Sequence, residues 1–211
     1  EVEGLVERYD LDRVYFDDNN FFASKKRVRE ICRGFLESNR SFEWFATIRP
    51  SQVLAFDDND LALIRDSGCT KFMMGAESGD DSILKLINKG NEAADVVEAT
   101  RRCREHGIQP SYVFIFGFPG ETWGQMQTTM DFMKHLKRIY ADTRTTSLFF
   151  TPYPGTALTQ LGQEHGFNSP SSLEEWAGYD ARTVETPWIT PQQRRKVRQV
   201  ADFYLPWAYP N

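Results

Sequence analysis

The sequence has few cysteines, no long apolar run and no excess of basic charge. Its three cysteines, Cys32, Cys69 and Cys103, form neither a C-x-x-C motif nor an even set that would indicate a disulfide framework. A reducing, cytoplasmic location is the prediction that follows. Apolar runs stay below the roughly 20 residues of a membrane span, so no transmembrane segment is expected. Lysine and arginine number 25 against 30 aspartates and glutamates, and this acidic balance argues against a nucleic-acid partner.

Short apolar runs alternate with amphipathic stretches along most of the chain. The runs predict five strands: Val14–Phe16, Phe42–Ile48, Phe72–Gly75, Tyr112–Phe116 and Ser147–Phe150. Their regular spacing is typical of strand–helix–strand units, and their continuous apolar character favours a parallel sheet buried on both faces. The expected fold class is therefore α/β, either as a complete or partial TIM-type barrel or as an open doubly wound sheet.

Two capping boxes predict where late helices begin. Thr122 with Gln125, and Thr190 with Gln193, place a hydroxyl and an amide three residues apart, as reciprocal capping requires. The second of these helices is expected to end before Pro206. Its buried stripe is expected to contain Val197, Val200, Ala201 and Tyr204. Because the strand–helix alternation stops near residue 156, residues 1–156 are predicted as the barrel part and residues 157–211 as an extension ending in an amphipathic helix.

Polar or glycine-rich segments follow every predicted strand. In parallel α/β folds the carboxyl ends of the strands carry the ligand site, so these segments form the candidate site. They contain carboxylates that suit an amine or ribose hydroxyls, a guanidinium that suits a carboxylate, and loop amides that suit an anion or an adenine edge. In strand order the candidates are Asp17 and Asp18, then Arg49, then Glu77 and Ser78, then the Gly117–Thr122 loop, then Thr151 and Tyr153.

Each candidate also has a plainer interpretation. An aspartate pair after a strand often caps a helix or shapes a turn, and Arg49 suits a surface ion pair. The Gly117–Thr122 loop matches neither the dinucleotide-binding nor the P-loop pattern. Two other functions therefore stay open at this point. One is an Mg²⁺- or Mn²⁺-dependent barrel hydrolase that uses Asp17, Asp18 and Glu77, and the other is a non-catalytic binding domain.

The order of the short motifs is more specific than any one of them. The segments are Phe16–Phe21, Gly68-Cys69, Gly75–Gly79, Lys89, Gly117–Thr122 and Tyr153–Thr156. This order resembles that of radical S-adenosylmethionine (SAM) enzymes. Within them it is similar to the subgroup that carries a cobalamin-binding domain, such as the anaerobic magnesium-protoporphyrin ester cyclases. The resemblance covers about residues 1–156.

The resemblance implies a partial TIM-type barrel of parallel strands that lacks its N-terminal unit, with SAM as the cofactor. It assigns the methionine amine to Asp17 and Asp18, and the methionine carboxylate and ribose to Arg49 and Glu77. The other implied contacts are Ser78, Ile115, Gly117 and Gly120 on the cofactor side, with Ile115 and the two glycines beside the adenine, and Thr151 and Tyr153 on the substrate side.

One family motif is missing from these 211 residues. The C-x-x-x-C-x-x-C loop that supplies three thiolates to a [4Fe–4S] cluster does not occur. We therefore expect a fragment of a longer radical SAM enzyme, inactive alone, whose parent generates a 5′-deoxyadenosyl radical or performs radical methylation or cyclisation. A tetrapyrrole, a lipid or another small molecule is the expected substrate, and a cobalamin domain upstream is compatible with the subgroup. Loss of the preceding strand would leave residues 13–17 as an exposed edge, through which the chain is expected to self-associate.

Overall fold

The computed structural model describes residues 1–38, 41–177 and 184–209. Five parallel strands form one sheet in the order β1-β2-β3-β4-β5. They are β1 (Arg13–Phe16), β2 (Glu43–Thr47), β3 (Cys69–Glu77), β4 (Gln109–Phe116) and β5 (Arg144–Phe149). In the pairing of β1 with β2, Arg13 lies opposite Glu43, and in that of β2 with β3, Phe45 lies opposite Lys71. The predicted α/β class with parallel strands is confirmed.

Helices connect the strands and follow the last one. They are α1 (Val2–Tyr9), α2 (Lys25–Glu37), α3 (Pro50–Ala55), α4 (Asp58–Asp66), α5 (Asp81–Leu86), α6 (Ala93–Glu105), α7 (Trp123–Ile139), α8 (Ala157–Glu164), α9 (Leu173–Trp176), α10 (Pro191–Arg198) and α11 (Leu205–Ala208). A 3₁₀ turn covers Phe21–Ala23, and a π-helical turn covers Gln199–Tyr204. Within the described ranges, no helix is both long and apolar enough to cross a bilayer.

The strand predictions were right in number and order but not in every detail. β5 begins at Arg144 rather than at Ser147, because its first residues are polar and apolarity alone does not reveal them. Burial on both faces was wrong. β1 has no fully buried residue, and β2 and β5 each include exposed residues. The prediction was wrong also for β3 and β4. Along both strands fully buried residues largely alternate with half-buried ones such as Ile115. One face of these strands is therefore less covered than the other.

Helix α3 was not predicted. Pro50 occupies its first turn, where a missing backbone N–H costs nothing, and the side-chain oxygen of Gln52 accepts a hydrogen bond of 3.0 Å from the N–H of Arg49. Arg49, expected only as a strand-end residue, is thus also the N-cap residue of a short helix.

The C-terminal helix departs from its prediction at Gln199. The capping boxes at Thr122 and Thr190 are both present. However, the helix does not end before Pro206, which lies in the first turn of α11 after the π-helical turn. Tyr204 is 44% exposed, although the rest of the predicted stripe is buried. A π turn has more residues than an α turn, so the 3.6-residue period used for the prediction fails beyond it.

Contacts divide the chain into two compact units. Unit 1 comprises Glu1–Gly75, Ala94–Tyr112 and Asp142–Arg144, and unit 2 comprises Ala76–Ala93, Val113–Ala141 and Thr145–Asn211. The predicted domain boundary at residue 156 stays a prediction.

The core of unit 1 is aromatic. Trp44 is fully buried, and its ring lies within about 6 Å of the rings of Phe16, Phe21, Phe22 and Phe35. Its indole N–H donates to the carbonyl of Ser67 at 3.0 Å, which satisfies the polar end of the ring. All three cysteines are buried in this unit.

The core of unit 2 combines methionines with phenylalanines. Met126, Met130 and Met133 are buried along one face of α7, as their spacing indicates. A separate cluster contains Ile83, Phe118 and Phe150, with Ile115 and Trp188 packed against it. This cluster supports the loop that follows β4.

Candidate functional site

In unit 1, the ends of β1 and β2 carry the predicted residues Asp17, Asp18 and Arg49. All three side chains are exposed. Asp18 lies 3.7 Å from the guanidinium of Arg27, which is a surface ion pair. Gln52 connects the two strand ends, because its amide nitrogen donates to the side-chain oxygen of Asn20 at 2.9 Å.

In unit 2, Glu77 ends β3 in an unusual backbone conformation. Its φ is +61°, and the N–H of Ser78 donates to the carbonyl of Ala76 at 2.8 Å, which makes a γ-turn centred on Glu77. A side chain other than glycine is strained there, and such strain concentrates at functional sites. The Glu77 carboxylate accepts a hydrogen bond of 2.6 Å from Lys89, and both side chains are largely buried. The turn thus holds one carboxylate in a fixed place at the strand end.

Ser78 and Gly79 fasten this turn to helix α7. Ser78 is fully buried, and its hydroxyl lies 3.0 Å from the hydroxyl of Thr129, which also accepts from the N–H of Gly79 at 3.1 Å. A Cβ on Gly79 would lie 2.4 Å from Phe132, so only glycine fits. The Ser78 hydroxyl is engaged inside the unit, and its predicted cofactor contact stays a prediction.

The loop after β4 encloses a carboxylate of its own. Glu121 accepts a short hydrogen bond from the N–H of Gly117 and one of 3.1 Å from the N–H of Phe118. Glu121 is 6% exposed, and its other oxygen, Oε1, is buried and has no hydrogen-bond partner in the described ranges. Burial raises the pKa of this carboxyl from 4.5 to about 7, although the two backbone donors act in the opposite direction. The amides that were expected to hold a ligand anion therefore already hold Glu121.

Only glycine fits the backbone conformation and the close packing at position 117. Its φ is +77°, and a Cβ there would lie 1.8 Å from the side chain of Ile189. Its carbonyl accepts a hydrogen bond of 2.9 Å from the indole N–H of Trp188. Both polar backbone groups of Gly117 are thus used within unit 2.

The remaining predicted residues have mixed environments. Ile115 is half buried, whereas Gly120 is exposed with a φ of +81°. Thr151 is 7% exposed and Tyr153 is 57% exposed. The carbonyl of Tyr153 accepts hydrogen bonds from the hydroxyls of Thr156 and Thr159, which fixes the backbone but leaves the phenol ring open.

The predicted site residues divide between the units, with Asp17, Asp18 and Arg49 in unit 1 and the others in unit 2. Their contact with one common ligand stays a prediction. Sequence reasoning missed the role of Glu121 and of Trp188. Glu121 had one usable signal, an acid just before the capping residue Thr122 in an otherwise uncharged loop.

The three thiols do not suit a metal cluster. Burial raises the pKa of Cys32 and of Cys69, and it raises that of Cys103 to about 12, so the thiolate form that metals bind is disfavoured. Among the described residues, no group of three His, Cys, Asp or Glu side chains is placed to hold a metal ion. These side chains therefore do not fit a [4Fe–4S] cluster, and the alternative of a metal-dependent hydrolase gains no support.

Comparison with known proteins gives a family match and several relatives. A family model described as the radical SAM superfamily matches residues 14–133. An uncharacterized methyltransferase of Pyrococcus horikoshii is 30% identical over 207 residues, which are 97% of this chain and 43% of that protein. An anaerobic magnesium-protoporphyrin IX monomethyl ester cyclase of Synechocystis is 26% identical over 166 residues, which are 78% of this chain and 32% of the cyclase.

A solved structure supports the fold. The radical SAM methyltransferase TsrM from Kitasatospora setae, with cobalamin and a [4Fe–4S] cluster bound, superposes with a TM-score of 0.64 at 21% identity. The superposition covers 94% of this chain and 37% of TsrM. This chain thus spans less than half of the length of each of these relatives.

Proposed function

Because the chain belongs to the radical SAM superfamily, we propose that it binds SAM as part of an enzyme that methylates or cyclises a small molecule. Members of this family are enzymes, and the relatives named above include methyltransferases and a tetrapyrrole cyclase. Cobalamin dependence of the same enzyme belongs to the proposal, since the TsrM structure contains cobalamin.

The observation that carries the proposal is the fixed carboxylate of Glu77. It lies at the carboxyl end of a parallel strand, in a strained turn, and Lys89 holds it at 2.6 Å. A carboxylate with two oxygens accepts hydrogen bonds from vicinal ribose hydroxyls while one oxygen keeps its lysine partner. In this proposal Glu77 orients the ribose of SAM, and Ile115 and Gly117 lie beside the adenine. Asp17, Asp18 and Arg49 remain the proposed contacts for the methionine part, and Thr151 and Tyr153 for substrate.

We propose further that the 211 residues alone are catalytically inactive. The family uses cluster thiolates in a spacing that this sequence does not contain, and its own thiols are buried. Chemical reduction in the presence of SAM should yield no 5′-deoxyadenosine. Its formation would contradict this part of the proposal and leave SAM binding untouched.

Saturation-transfer NMR with SAM tests the binding. Without a cluster to chelate the methionine end we expect weak affinity, with a Kd of the order of 1 mM. The adenine and ribose protons should receive saturation from the native chain, and Glu77→Gln should weaken binding about tenfold. Glu98→Gln, a matched change at an exposed carboxylate in unit 1, should leave the spectrum unchanged. Absence of any adenine signal at 5–10 times that concentration would reject the proposal.

A further inference from the structure

Arg194 on helix α10 is a partly buried cation whose terminal N–H donors are unpaired in the described part of the chain. Both terminal nitrogens, Nη1 and Nη2, are buried and have no hydrogen-bond partner among the described residues. The guanidinium carbon lies 4.1 Å from the centre of the Phe149 ring, so the ring covers one face of the group. Stacking leaves the N–H donors in the guanidinium plane, and these donors require an acceptor that the described chain does not supply.

A second buried donor lies along the same cavity. Thr186 is 5% exposed, and its hydroxyl is likewise buried without a partner. Thr186 and Arg194 line a cavity of about 510 Å³ together with Arg195, Arg198 and Phe203. Ile189, Pro191 and Gln199 complete the wall, and Glu185 is its only acid among the described residues. All of these residues belong to unit 2.

Unpaired buried donors are costly and rare in folded proteins. A polar group removed from water without a partner destabilises the fold, and a charged group does so more strongly. Burial accordingly lowers the pKa of Arg194, and the neighbouring Arg198 adds to this effect. Two residues that line one cavity therefore each carry a buried donor that a bound acceptor would satisfy.

The charge of the cavity indicates what this group is. The described residues of the wall include three arginines and one glutamate, which makes the wall positive in a chain whose net charge is −5. A phosphate group carries up to two negative charges near neutral pH and offers three terminal oxygens. Two of these oxygens match the fork of one guanidinium, and the third suits a hydroxyl.

We propose that this cavity binds the phosphate group of a small molecule, with Arg194 as the bidentate donor and Thr186 as the hydroxyl donor. Arg198 and Arg195 add positive charge at the wall, and Phe149 holds the guanidinium in plane. The proposal is independent of SAM binding, because its residues are not among the proposed SAM contacts.

Thermal unfolding of the whole chain in inorganic phosphate tests this inference at constant ionic strength. At ten times the Kd, the midpoint of unfolding should rise by about 3–5 °C over that in chloride. Arg194→Met keeps an apolar contact with Phe149 but lacks the paired N–H donors of the guanidinium, so it should abolish the rise. Its midpoint of unfolding in chloride should be equal to or above that of the native chain. Arg101→Gln, which removes an exposed arginine in unit 1, should keep the full rise.

Thr186→Val gives a second measurement if Arg194→Met does not fold. It removes only an unpartnered hydroxyl, and it should weaken phosphate binding several-fold in calorimetry without loss of stability. Arg194→Lys should bind phosphate at an intermediate level, since it keeps the charge but not the fork. No phosphate effect on the native chain, an equal effect on Arg194→Met, or an equal rise with acetate would each overturn the proposal.

Discussion

Two arginines show how differently the two units treat charge. In unit 1, Arg102 donates to the carbonyls of Val53, Leu54 and Phe56 at 2.6–3.3 Å and to Asp58 at 2.8 Å. In unit 2, Arg194 is partly buried and has no acceptor among the described residues. The first guanidinium closes the C-terminal end of α3, where helix carbonyls lack partners. The second stacks on the Phe149 ring, and its residue lines a cavity. The same kind of side chain thus has internal acceptors in one unit and none among the described residues in the other.

The contrast extends to other polar atoms. Buried side-chain atoms without partners within the described ranges belong to Glu121, Thr186 and Arg194 in unit 2, and to Thr143 alone in unit 1. In unit 1, for example, Arg29 pairs with the buried Asp60 at 2.6 Å. Unpaired buried groups cost stability, so they persist where a ligand or a function offsets the cost. Unit 2 is therefore where we expect the phosphate ligand proposed above.

The largest effect is expected from Arg102→Met, which tests whether Arg102 has the structural role described above. The change leaves three carbonyls of the α3 end without their charged donor and should lower the free energy of unfolding by about 2–3 kcal/mol. Urea unfolding measures the loss. Arg101→Met on the same helix removes an exposed arginine and should cost less than about 0.5 kcal/mol. Equal losses for the two variants would show that Arg102 is not structural.

Glu121 should make stability depend on pH. Its pKa is raised to about 7 in the folded chain, so the folded state binds more protons than the unfolded state between pH 4.5 and 7. The contribution of Glu121 to the free energy of unfolding is then fully present below pH 4.5. It decreases as the pH rises through 7. The loss attributable to this carboxyl is about 3 kcal/mol.

The pH effect is measured as a difference between two proteins. Glu121→Gln keeps an oxygen for the N–H groups of Gly117 and Phe118 but does not titrate, so its stability should change less between pH 5 and 8. Glu105→Gln, at an exposed carboxylate, should follow the native profile. Parallel profiles for the native chain and Glu121→Gln would place the titrating group elsewhere.

The fold was largely readable from local sequence, whereas the site was readable only in part. Apolar runs gave all five strands, and the capping boxes at Thr122 and Thr190 gave two helix starts, because these signals span a few adjacent residues. Glu77 was found because it directly follows an apolar run, and it is the last residue of β3. The contact of Trp188 with Gly117 joins residues 71 positions apart, and no local pattern indicates it.

The errors have the same origin. The unpaired oxygen of Glu121 and the unpaired, buried donors of Arg194 depend on which groups tertiary packing leaves without partners among the described residues. A sequence shows that a residue is charged, but pairing is a property of the folded chain. The π-helical turn likewise altered the helix period after Gln199 without any sequence signal such as glycine.

A smaller effect is expected from the pair formed by Glu77 and Lys89, which tests whether unit 2 also contains structural charges. Both side chains are at most one-quarter exposed, and their contact of 2.6 Å should contribute about 1 kcal/mol of coupling. A double-mutant cycle with Glu77→Gln and Lys89→Met in urea measures it. Zero coupling would mean that Lys89 does not fix the position of the Glu77 carboxylate. It would then contradict the observation on which the proposed SAM contact depends.

The smallest effect concerns backbone groups that unit 1 leaves open. β1 ends the strand order, and the carbonyl of Asp12 accepts from Glu43, so the backbone groups of the odd-numbered residues face away from β2. Antiparallel pairing of two copies about Tyr15 would place Arg13 opposite Asp17 of the second copy, which favours association. We expect a Kd of about 0.1–1 mM for this self-association, seen as a sedimentation coefficient that rises with concentration.

Two variants test this pairing. Tyr15→Lys should abolish the rise, because it places like charges at the centre of the paired strands. Leu173→Lys, at an 83% exposed site in unit 2, should keep the rise. A sedimentation coefficient that stays constant for the native chain would contradict this prediction. It would mean that the twist or the charge of β1 prevents pairing with a second copy.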